Sequence, residues 1–267
     1  MTGNDKGMSF HIGETRGGFT ALANVFIFSD DPNKSRSSKQ LLNALESTLR
    51  SAVPLIEENY GRVIRVSANG ISAAFERNAE DALAFGISIC QRANASEDMA
   101  GGFGVSVGIT YGKVFTSDVV CGSFSTVIAV SEAVELSNIL SRACPRADAS
   151  ILITSALADQ IIGFSNRFAK RKIGLILNSS ENKTYTIFDV FDGDPAEKKY
   201  SKRRSSLLFE TGLEYFLEDR PLQARSCFIE LLKYDRSDRI AKRYIQLCDK
   251  AINGTADDTR DKYLTVI

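Results

Sequence analysis

Few residues in this 267-residue sequence are suited to acid–base, nucleophilic or metal chemistry. The single histidine, His11, lies in a polar Gly-rich stretch, so a Ser-His-Asp triad or a histidine-based zinc site lacks its central residue. Asp30 follows an apolar run and is either a turn residue or an oxygen ligand. Asn69 precedes Gly70 in the pair that most favours a tight type I′ turn. The residues alone leave open whether this hairpin tip is only a turn or part of a site.

Composition and charge exclude several classes of protein. The chain has 33 Lys and Arg and 33 Asp and Glu, so no net charge attracts it to nucleic acid or to an anionic membrane. No apolar run approaches the roughly 18 residues of a membrane span, and no amino-terminal signal peptide is visible. The cysteines lack metal-ligand spacing, and we interpret them as reduced thiols: Cys90, Cys121, Cys144, Cys227 and Cys248. We expect a cytoplasmic protein without a nucleic-acid partner or a membrane segment.

The hydrophobic periodicity predicts an α+β fold. Residues 21–29 form a continuous apolar run typical of a buried strand, and helical spacing follows over 38–60. A hairpin is predicted over 62–75, and two strands over 102–120 are expected to turn at Tyr111-Gly112. With further helices at 79–94 and 129–143 and strands beyond 150, the order predicts one antiparallel or mixed sheet with helices on one face.

Composition also suggests how the chain is divided. We expect a flexible leader over 1–20, the α+β domain over 21–192, a charged linker over 193–205, a helical tail over 206–252 and a C-terminal extension over 253–267. The basic run 198–204 is either a nucleic-acid patch or a solvated linker, and the linker is favoured because no aromatic residues are interleaved. In the tail, four residues have the relative spacing of a tetratricopeptide repeat: Gly212, Tyr215, Ala224 and Phe228. One repeat is too few for a solenoid, so we expect a helical cap that docks on a protein partner.

Several ordered motifs carry a resemblance. They are "VFIFSD", "YGRVIRVSANGISAAF", "AEDALAFGISI", "VSVGITYGKVF", "AVELSNILSRA" and "ILITSALADQI". Together, over residues 24–191, they resemble the catalytic domain of class III adenylyl and guanylyl cyclases. The resemblance implies a ferredoxin-like nucleotide cyclase sandwich and a dimer with active sites at the subunit interface. It also implies two magnesium ions held by two aspartates, which act on a nucleoside triphosphate.

The resemblance places the metal and purine positions on four residues. The first metal carboxylate falls on Asp30, and the second falls on Asn69, which is neutral. An amide oxygen can ligate magnesium but brings no charge to offset dehydration of the ion. The purine-reading lysine falls on Arg65, whose planar guanidinium differs from a compact ammonium, and the second purine position falls near Thr126. We therefore expect weak magnesium or manganese binding at most, and no other cofactor.

The resemblance also places the two transition-state positions. The ribose-orienting asparagine falls on Glu135, which repels a triphosphate, and the charge-stabilising arginine falls on Ile139, which has no donor. In phosphoryl transfer, loss of such an arginine typically costs about 10³–10⁵ in rate. No residue of this chain is therefore assigned a catalytic role with any assurance.

We accordingly expect a degenerate cyclase homology domain of bacterial type. It would be a pseudoenzyme that acts as a regulatory or dimerisation module in cyclic-nucleotide signalling, as a homodimer or paired with another cyclase-type domain. The main alternative is an active but divergent cyclase, or one half of a heterodimer, that converts ATP or GTP to cAMP or cGMP. A third possibility is that the domain senses a phosphate-bearing ligand in the cleft that corresponds to the nucleotide site of the cyclases.

Overall fold

The computed structural model describes residues 10–29, 37–96, 102–121, 124–178 and 183–256. Its centre is a nine-stranded mixed sheet in which β3-β4-β2-β5-β7-β9-β8 follow one another and β1 and β6 both pair with β5. All pairings are antiparallel except that of β5 with β7. The strands are β1 Phe10–Ile12, β2 Arg16–Ser29, β3 Gly61–Ser67, β4 Gly70–Phe75, β5 Phe103–Cys121, β6 Phe124–Val130, β7 Ile151–Thr154, β8 Lys170–Asn178 and β9 Lys183–Val190. The predicted α+β class and mixed sheet are confirmed.

Eight helices accompany the sheet in the described part of the chain. They are α1 Ser38–Glu58, α2 Ala79–Ala95, α3 Glu132–Ala147, α4 Ser155–Ala158, α5 Phe164–Arg167, α6 Ala196–Leu217, α7 Pro221–Leu231 and α8 Arg239–Ile252. Side chains cap the starts of α1 and α3: Ser37 and Gln40 form a capping box on α1, and Ser131 Oγ accepts from Ala133 N at the start of α3. These caps fix where α1 and α3 begin relative to the strands before them.

Helices cover both faces of the sheet. Alternate residues of β2 divide the two layers, because Ala23 and Val25 pack with α1 and α2 whereas Leu22 packs with Ala133 of α3. The sequence predicts the helices of the domain on one face, the helix near 129–143 included. In the structure α1 and α2 lie on one face, whereas α3 and the tail helices lie on the other. Residues of α3, β7, β8, β9 and α6–α8 share one apolar cluster, in which Phe209 and Phe228 are fully buried. The tail is therefore packed onto the sheet.

Three local predictions are wrong. Residues 10–12 and 16–20 of the expected flexible leader are strands, since β1 pairs with the far end of β5 and β2 begins at Arg16. The expected turn at Tyr111-Gly112 lies inside β5, a single strand of 19 residues. Most of the expected linker 193–205 is the start of α6, and Lys202 and Ser205 within it are buried. In each case long-range pairing or packing decided the structure. The domain boundaries as such stay a prediction.

Two glycines of β5 explain how α3 reaches the sheet. A Cβ atom at Gly108 would lie 2.2 Å from Ser137 O and 2.3 Å from Ser141 N, both in the backbone of α3. A Cβ atom at Gly112 would lie 2.8 Å from the Cβ of Ala133. Because the two glycines of this G-x-x-x-G spacing have no side chains, α3 packs directly on the backbone of β5. This contact fixes the position of the helix that carries Glu135 and Ile139.

Candidate functional site

The hairpin tip has a different turn from the one predicted. Ser67 and Gly70 are paired, so Ala68 and Asn69 form the two-residue loop. A type I′ turn needs positive φ at both central residues, and none of Ala68, Asn69 and Gly70 has one. The glycine serves a close approach instead, because a Cβ atom at Gly70 would lie 2.2 Å from Val25 O of β2.

Asn69 lies beside the end of β2, where the resemblance expects a metal site. The Ile27 N–H donates to Asn69 O at 2.9 Å, so the tip is fixed three residues before position 30. Asp30 itself lies outside the described residues. Within the described ranges, no group of three or more His, Cys, Asp or Glu side chains is arranged to hold a metal ion. Of the two metal positions, only the neutral Asn69 lies among the described residues, and we derive no step through a metal ion.

The two purine positions lie in different rows of the sheet. Arg65 is exposed on β3 and pairs with Ser72, in the row that crosses β5 at Gly108. Thr126 of β6 pairs with Val119, which is eleven residues further along β5 than Gly108. Register does not place Arg65 and Thr126 next to each other within one chain. In a dimeric arrangement, their relation would depend on the partner subunit.

The transition-state positions lie on the first turns of α3. Glu135 is exposed and lines a cavity of about 550 Å³ together with Lys113 and Tyr185. Ile139 is half-buried and packs against the apolar cluster that also contains Leu136 and Leu140. Neither side chain can donate a hydrogen bond to a phosphate, and Ile139 is held by packing rather than presented to a ligand.

An asparagine–arginine pair with the same spacing lies three residues further along α3, and the sequence reasoning missed it. Arg142 Nε donates to Asn138 Oδ1 at 3.2 Å, and the guanidinium lies 5.6 Å from the centre of the Phe26 ring. Three residues along a helix correspond to a rise of about 4.5 Å and a rotation of about 300°. Because 300° is equivalent to −60°, the pair lies on the same side of the helix as Glu135 and Ile139, about 4.5 Å further along its axis. Its N-x-x-x-R spacing was the signal that could have revealed it.

A buried polar network positions α3 over the strands. The amide of Asn24 donates to Ser141 Oγ at 2.7 Å and accepts from Ser72 Oγ at 2.7 Å. Ser106 Oγ donates to Ser141 O at 2.8 Å. The network joins β2, β4, β5 and α3, and the polar Asn24 within the apolar run 21–29 is its only sign in the sequence. Because its members are buried and mutually bonded, α3 has little freedom to shift on the sheet.

A second buried network, here called the junction network, joins the sheet to the tail. Its members, at most 2% exposed in their side chains, are Arg171, Asp189, Asp194, Lys202 and Asp238. Arg171 lies 3.1 Å from Asp189 Oδ2 and 2.5 Å from Asp238 Oδ2. Lys202 Nζ lies 2.9 Å from Asp189 Oδ2 and 2.7 Å from Asp194 Oδ2. β8, β9, the loop after β9, α6 and the N-cap of α8 thus share five buried charges.

The protonation of the junction network follows from burial and close charges. Burial raises the pKa of the Asp189 carboxyl, although Lys202 and Arg171 oppose that change. Burial alone would lower the pKa of Lys202, but Asp189 and Asp194 outweigh it and raise this pKa. In the same way Asp189 and Asp238 raise the pKa of Arg171 against the effect of burial. Both cations therefore keep their charge inside the protein.

An extension of the sheet carries exposed apolar side chains. We call it the sheet arm: β1, residues 16–20 of β2, residues 112–121 of β5, and β6. The register places four of its apolar side chains on one face, and they are 46–65% exposed: Phe19, Phe115, Ile128 and Val130. Such a contiguous apolar surface is typical of a protein–protein contact. No contact with a second chain is part of the structure described.

Solved structures of nucleotide cyclases share this fold. A bacterial light-regulated adenylyl cyclase matches with a TM-score of 0.58 at 10% identity, covering 72% of this chain and 56% of that chain. This chain therefore spans little more than half the length of that protein. The adenylyl cyclase CyaB from P. aeruginosa matches with a TM-score of 0.55 at 16% identity, covering 66% of this chain and 95% of that one. The guanylate cyclase domain of RhGC from Catenaria anguillulae, solved with GTP, gives 0.53 at 12% identity, covering 66% and 97%.

The chain thus has the fold of adenylyl and guanylyl cyclase domains, as the motifs predicted. No protein-family model matches the sequence, and no curated protein matches it significantly. Across the described ranges, no helix has the length and apolar character needed to span a bilayer. At identities of 10–16% the likeness concerns the fold alone, so the chemistry must be argued from the residues of this chain.

Proposed function

We propose that this protein is a degenerate nucleotide cyclase-type domain that acts as a regulatory and dimerising module in cyclic-nucleotide signalling. The observation that carries the proposal is on α3, where the transition-state positions hold the exposed carboxylate of Glu135 and the packed side chain of Ile139. A cyclase must stabilise negative charge that develops on phosphate, and a carboxylate opposes that charge. The amide at Asn69 weakens the same chemistry at the metal position.

Dimerisation is proposed through the sheet arm, with a second cyclase-type domain as the partner. Phe19, Phe115 and Val130 lie side by side on one face, and Phe19 stacks on Tyr111 at 6.1 Å between ring centres. A rigid, partly aromatic and exposed surface is suited to burial against a second subunit. The sheet arm is built from long paired strands, so the contact surface is already formed before association. Its side chains and backbone should therefore lose little conformational entropy on binding.

Sedimentation tests this contact. Phe115→Glu with Val130→Glu should convert the dimer to a monomer at tens of micromolar, because each association would bury unpaired carboxylates. The matched control is Leu222→Glu, which places the same charge at an exposed apolar residue of α7. If the parent protein sediments as a monomer at every concentration, the proposed homodimer is rejected. The partner would then be a different cyclase-type domain. Equal dissociation by both variants would reject the sheet arm.

Metal binding is proposed to be weak. Magnesium or manganese would find at Asn69 an oxygen without charge, so Asn69→Asp should strengthen binding of manganese measured by titration calorimetry. Asn69→Ser is the matched control, since it shortens the side chain without adding charge. Tight manganese binding by the parent that is unchanged in Asn69→Asp would contradict the assignment of this position.

One observation favours the alternative of an active, divergent cyclase. The Asn138–Arg142 pair supplies an amide and a guanidinium at the same spacing as Glu135 and Ile139. These are the two residue types that positions 135 and 139 lack. If this pair replaced them, the parent would convert ATP or GTP to the cyclic nucleotide, alone or with a second cyclase-type domain, and Arg142→Ala would abolish turnover. Turnover that is absent from the parent with magnesium and with manganese favours the degenerate module.

A further inference from the structure

The exposed face of α6 carries a group of aromatic, basic and apolar side chains. We call it the tail patch: Tyr200, Arg203, Arg204 and Leu207 of α6, with Tyr234 from the turn after α7. The spacing of the four α6 residues places them within an arc of about 100° around the helix. Tyr200, Leu207 and Tyr234 are 56–78% exposed, and both arginines are exposed as well. The tail patch contains no residue of the sheet arm.

The two arginines differ from the lysines of the basic run 198–204 in their partners. Each lysine of the run contacts a carboxylate of the folded chain: Lys198, Lys199 and Lys202. For Arg203 and Arg204, no carboxylate partner is found in the part of the chain that the structure describes. The lysines therefore serve the fold, whereas the arginines present their charge to solvent.

Arg204 is held against two tyrosine rings. Its guanidinium carbon lies 5.6 Å from the centre of the Tyr200 ring and 5.7 Å from the centre of the Tyr234 ring. The turn that carries Tyr234 is itself fixed to α6, because Ser201 Oγ donates to Asp235 Oδ2 at 3.0 Å. A guanidinium that lies over an aromatic ring keeps its in-plane N–H donors for other acceptors. The tail patch thus combines ordered hydrogen-bond donors with exposed aromatic surface.

We propose that the tail patch binds an acidic peptide segment of a partner protein, in which Asp or Glu residues neighbour a Leu or Phe. Charge complementarity supports this partner, because the planar donors of Arg203 and Arg204 match the two oxygens of a carboxylate. Leu207 lies one helical turn beyond both arginines and is 78% exposed, so it offers contact to the apolar residue of the segment. Tyrosine and arginine are also enriched among the residues that dominate protein–protein binding.

A single-stranded nucleic acid is the other polyanion that a basic and aromatic surface can bind. Such sites use a basic groove that follows several phosphate groups and aromatic rings on which bases stack. In the tail patch only two cations lack a described carboxylate partner, and Arg204 already lies over both tyrosine rings, where a base would stack. These observations favour the acidic peptide. The inference does not depend on whether the cyclase motifs retain activity.

Selection of short random peptides displayed on phage, with the full chain as the target, tests the proposal. The enriched peptides should contain Asp or Glu beside Leu or Phe. The best peptide, labelled and followed by fluorescence anisotropy, should bind Arg204→Gln and Leu207→Ser about tenfold more weakly than the parent. Arg50→Gln on α1 and Leu222→Ser on α7 are the matched controls, because they change the same residue types at exposed positions outside the tail patch. Both controls should bind the peptide like the parent.

Several outcomes would overturn the proposal. One is that no peptide is enriched, or that the enriched peptides lack acidic residues. Another is that Arg50→Gln loses as much affinity as Arg204→Gln. A single-stranded oligonucleotide that binds the parent more tightly than the best peptide would assign the tail patch to nucleic acid instead. Enriched peptides that match a segment of this chain would replace the partner protein by a second copy of the chain.

Discussion

The motif positions and the junction network both carry polar side chains, but their surroundings differ. Arg65 and Glu135 are exposed, and no hydrogen bond or ion pair of their side chains is found among the described residues. In the junction network Asp189 contacts two cations at 2.9–3.1 Å and is fully buried. The side chains of Arg65 and Glu135 thus have no described polar partner, whereas each cation of the junction network contacts two carboxylates.

The buried charges of the junction network need a physical explanation. Burying five charges is costly unless each is paired with good geometry, and a hydrophobic replacement is often as stable. A paired buried network is therefore better explained by specificity, since it accepts only one docking of α6 and α8 on β8 and β9. The junction network therefore holds the tail helices in position on the sheet.

The largest expected effect comes from breaking the junction network. Lys202→Met removes the ammonium and leaves Asp189 and Asp194 facing each other without a cation between them, which should cost about 3–5 kcal/mol of the free energy of unfolding. Urea titration followed by circular dichroism measures it. Lys233→Met removes the cation of an exposed pair with Glu230 and should leave the midpoint unchanged. Similar midpoints for the two variants would show that the buried junction network stabilises the fold no more than an exposed ion pair does.

A somewhat smaller effect is expected where α3 lies on β5. Gly108→Ala forces a methyl group against the backbone of α3 at Ser137 and Ser141, which should cost about 2–3 kcal/mol. Gly18→Ala is the matched control in the neighbouring strand, where a Cβ atom meets nothing within 4 Å. Thermal melts of the two variants should differ by several degrees. If they coincide, α3 is free to shift and does not fix the motif positions.

The helices and strands were predictable where the spacing of apolar residues within one segment determines its structure. The helix near 38–58, the hairpin near 61–75 and the helices of the tail follow from apolar spacing and turn residues. β1 and β6 were missed because their strands form only against the far half of β5. Gly112 looked like a turn residue, whereas its bare backbone accommodates Ala133 of α3.

The candidate site was predictable only as a set of positions. The motifs predict a site at Asn69 and on the helix of Glu135, and these positions stay predictions. The junction network could not be found this way, since Lys202 lies in a run of basic residues that resembles a solvated linker. Its partners Asp189 and Asp194 are brought to it by the packing of α6 on the sheet. Burial of a charge is a property of tertiary structure and has no local signal.

The smallest effect is a loss of stability at alkaline pH. Burial raises the pKa of Cys144 well above its ordinary value of 9.0 and raises that of Cys248 to about 11. Above pH 9 the unfolded chain releases these protons while the folded chain retains them, so stability falls as the pH rises. The Cys248 thiol should contribute about 1.4 kcal/mol between pH 8 and pH 10, and Cys144 should contribute in the same direction. Urea titration under reducing conditions measures the fall, and Cys248→Ala should reduce it, whereas Cys121→Ala should not.

We propose that this protein forms no cyclic nucleotide, because Glu135 and Ile139 offer no hydrogen-bond donor to a phosphate group. The most direct test measures cyclic nucleotide formation from ATP and from GTP, with magnesium and with manganese. It compares the parent, Asn69→Asp, and the combination of Asn69→Asp, Glu135→Asn and Ile139→Arg. Because these groups act as a unit, we predict no turnover by the parent, almost none after the single change, and measurable turnover only in the combination. Robust turnover by the unmodified protein would contradict the account.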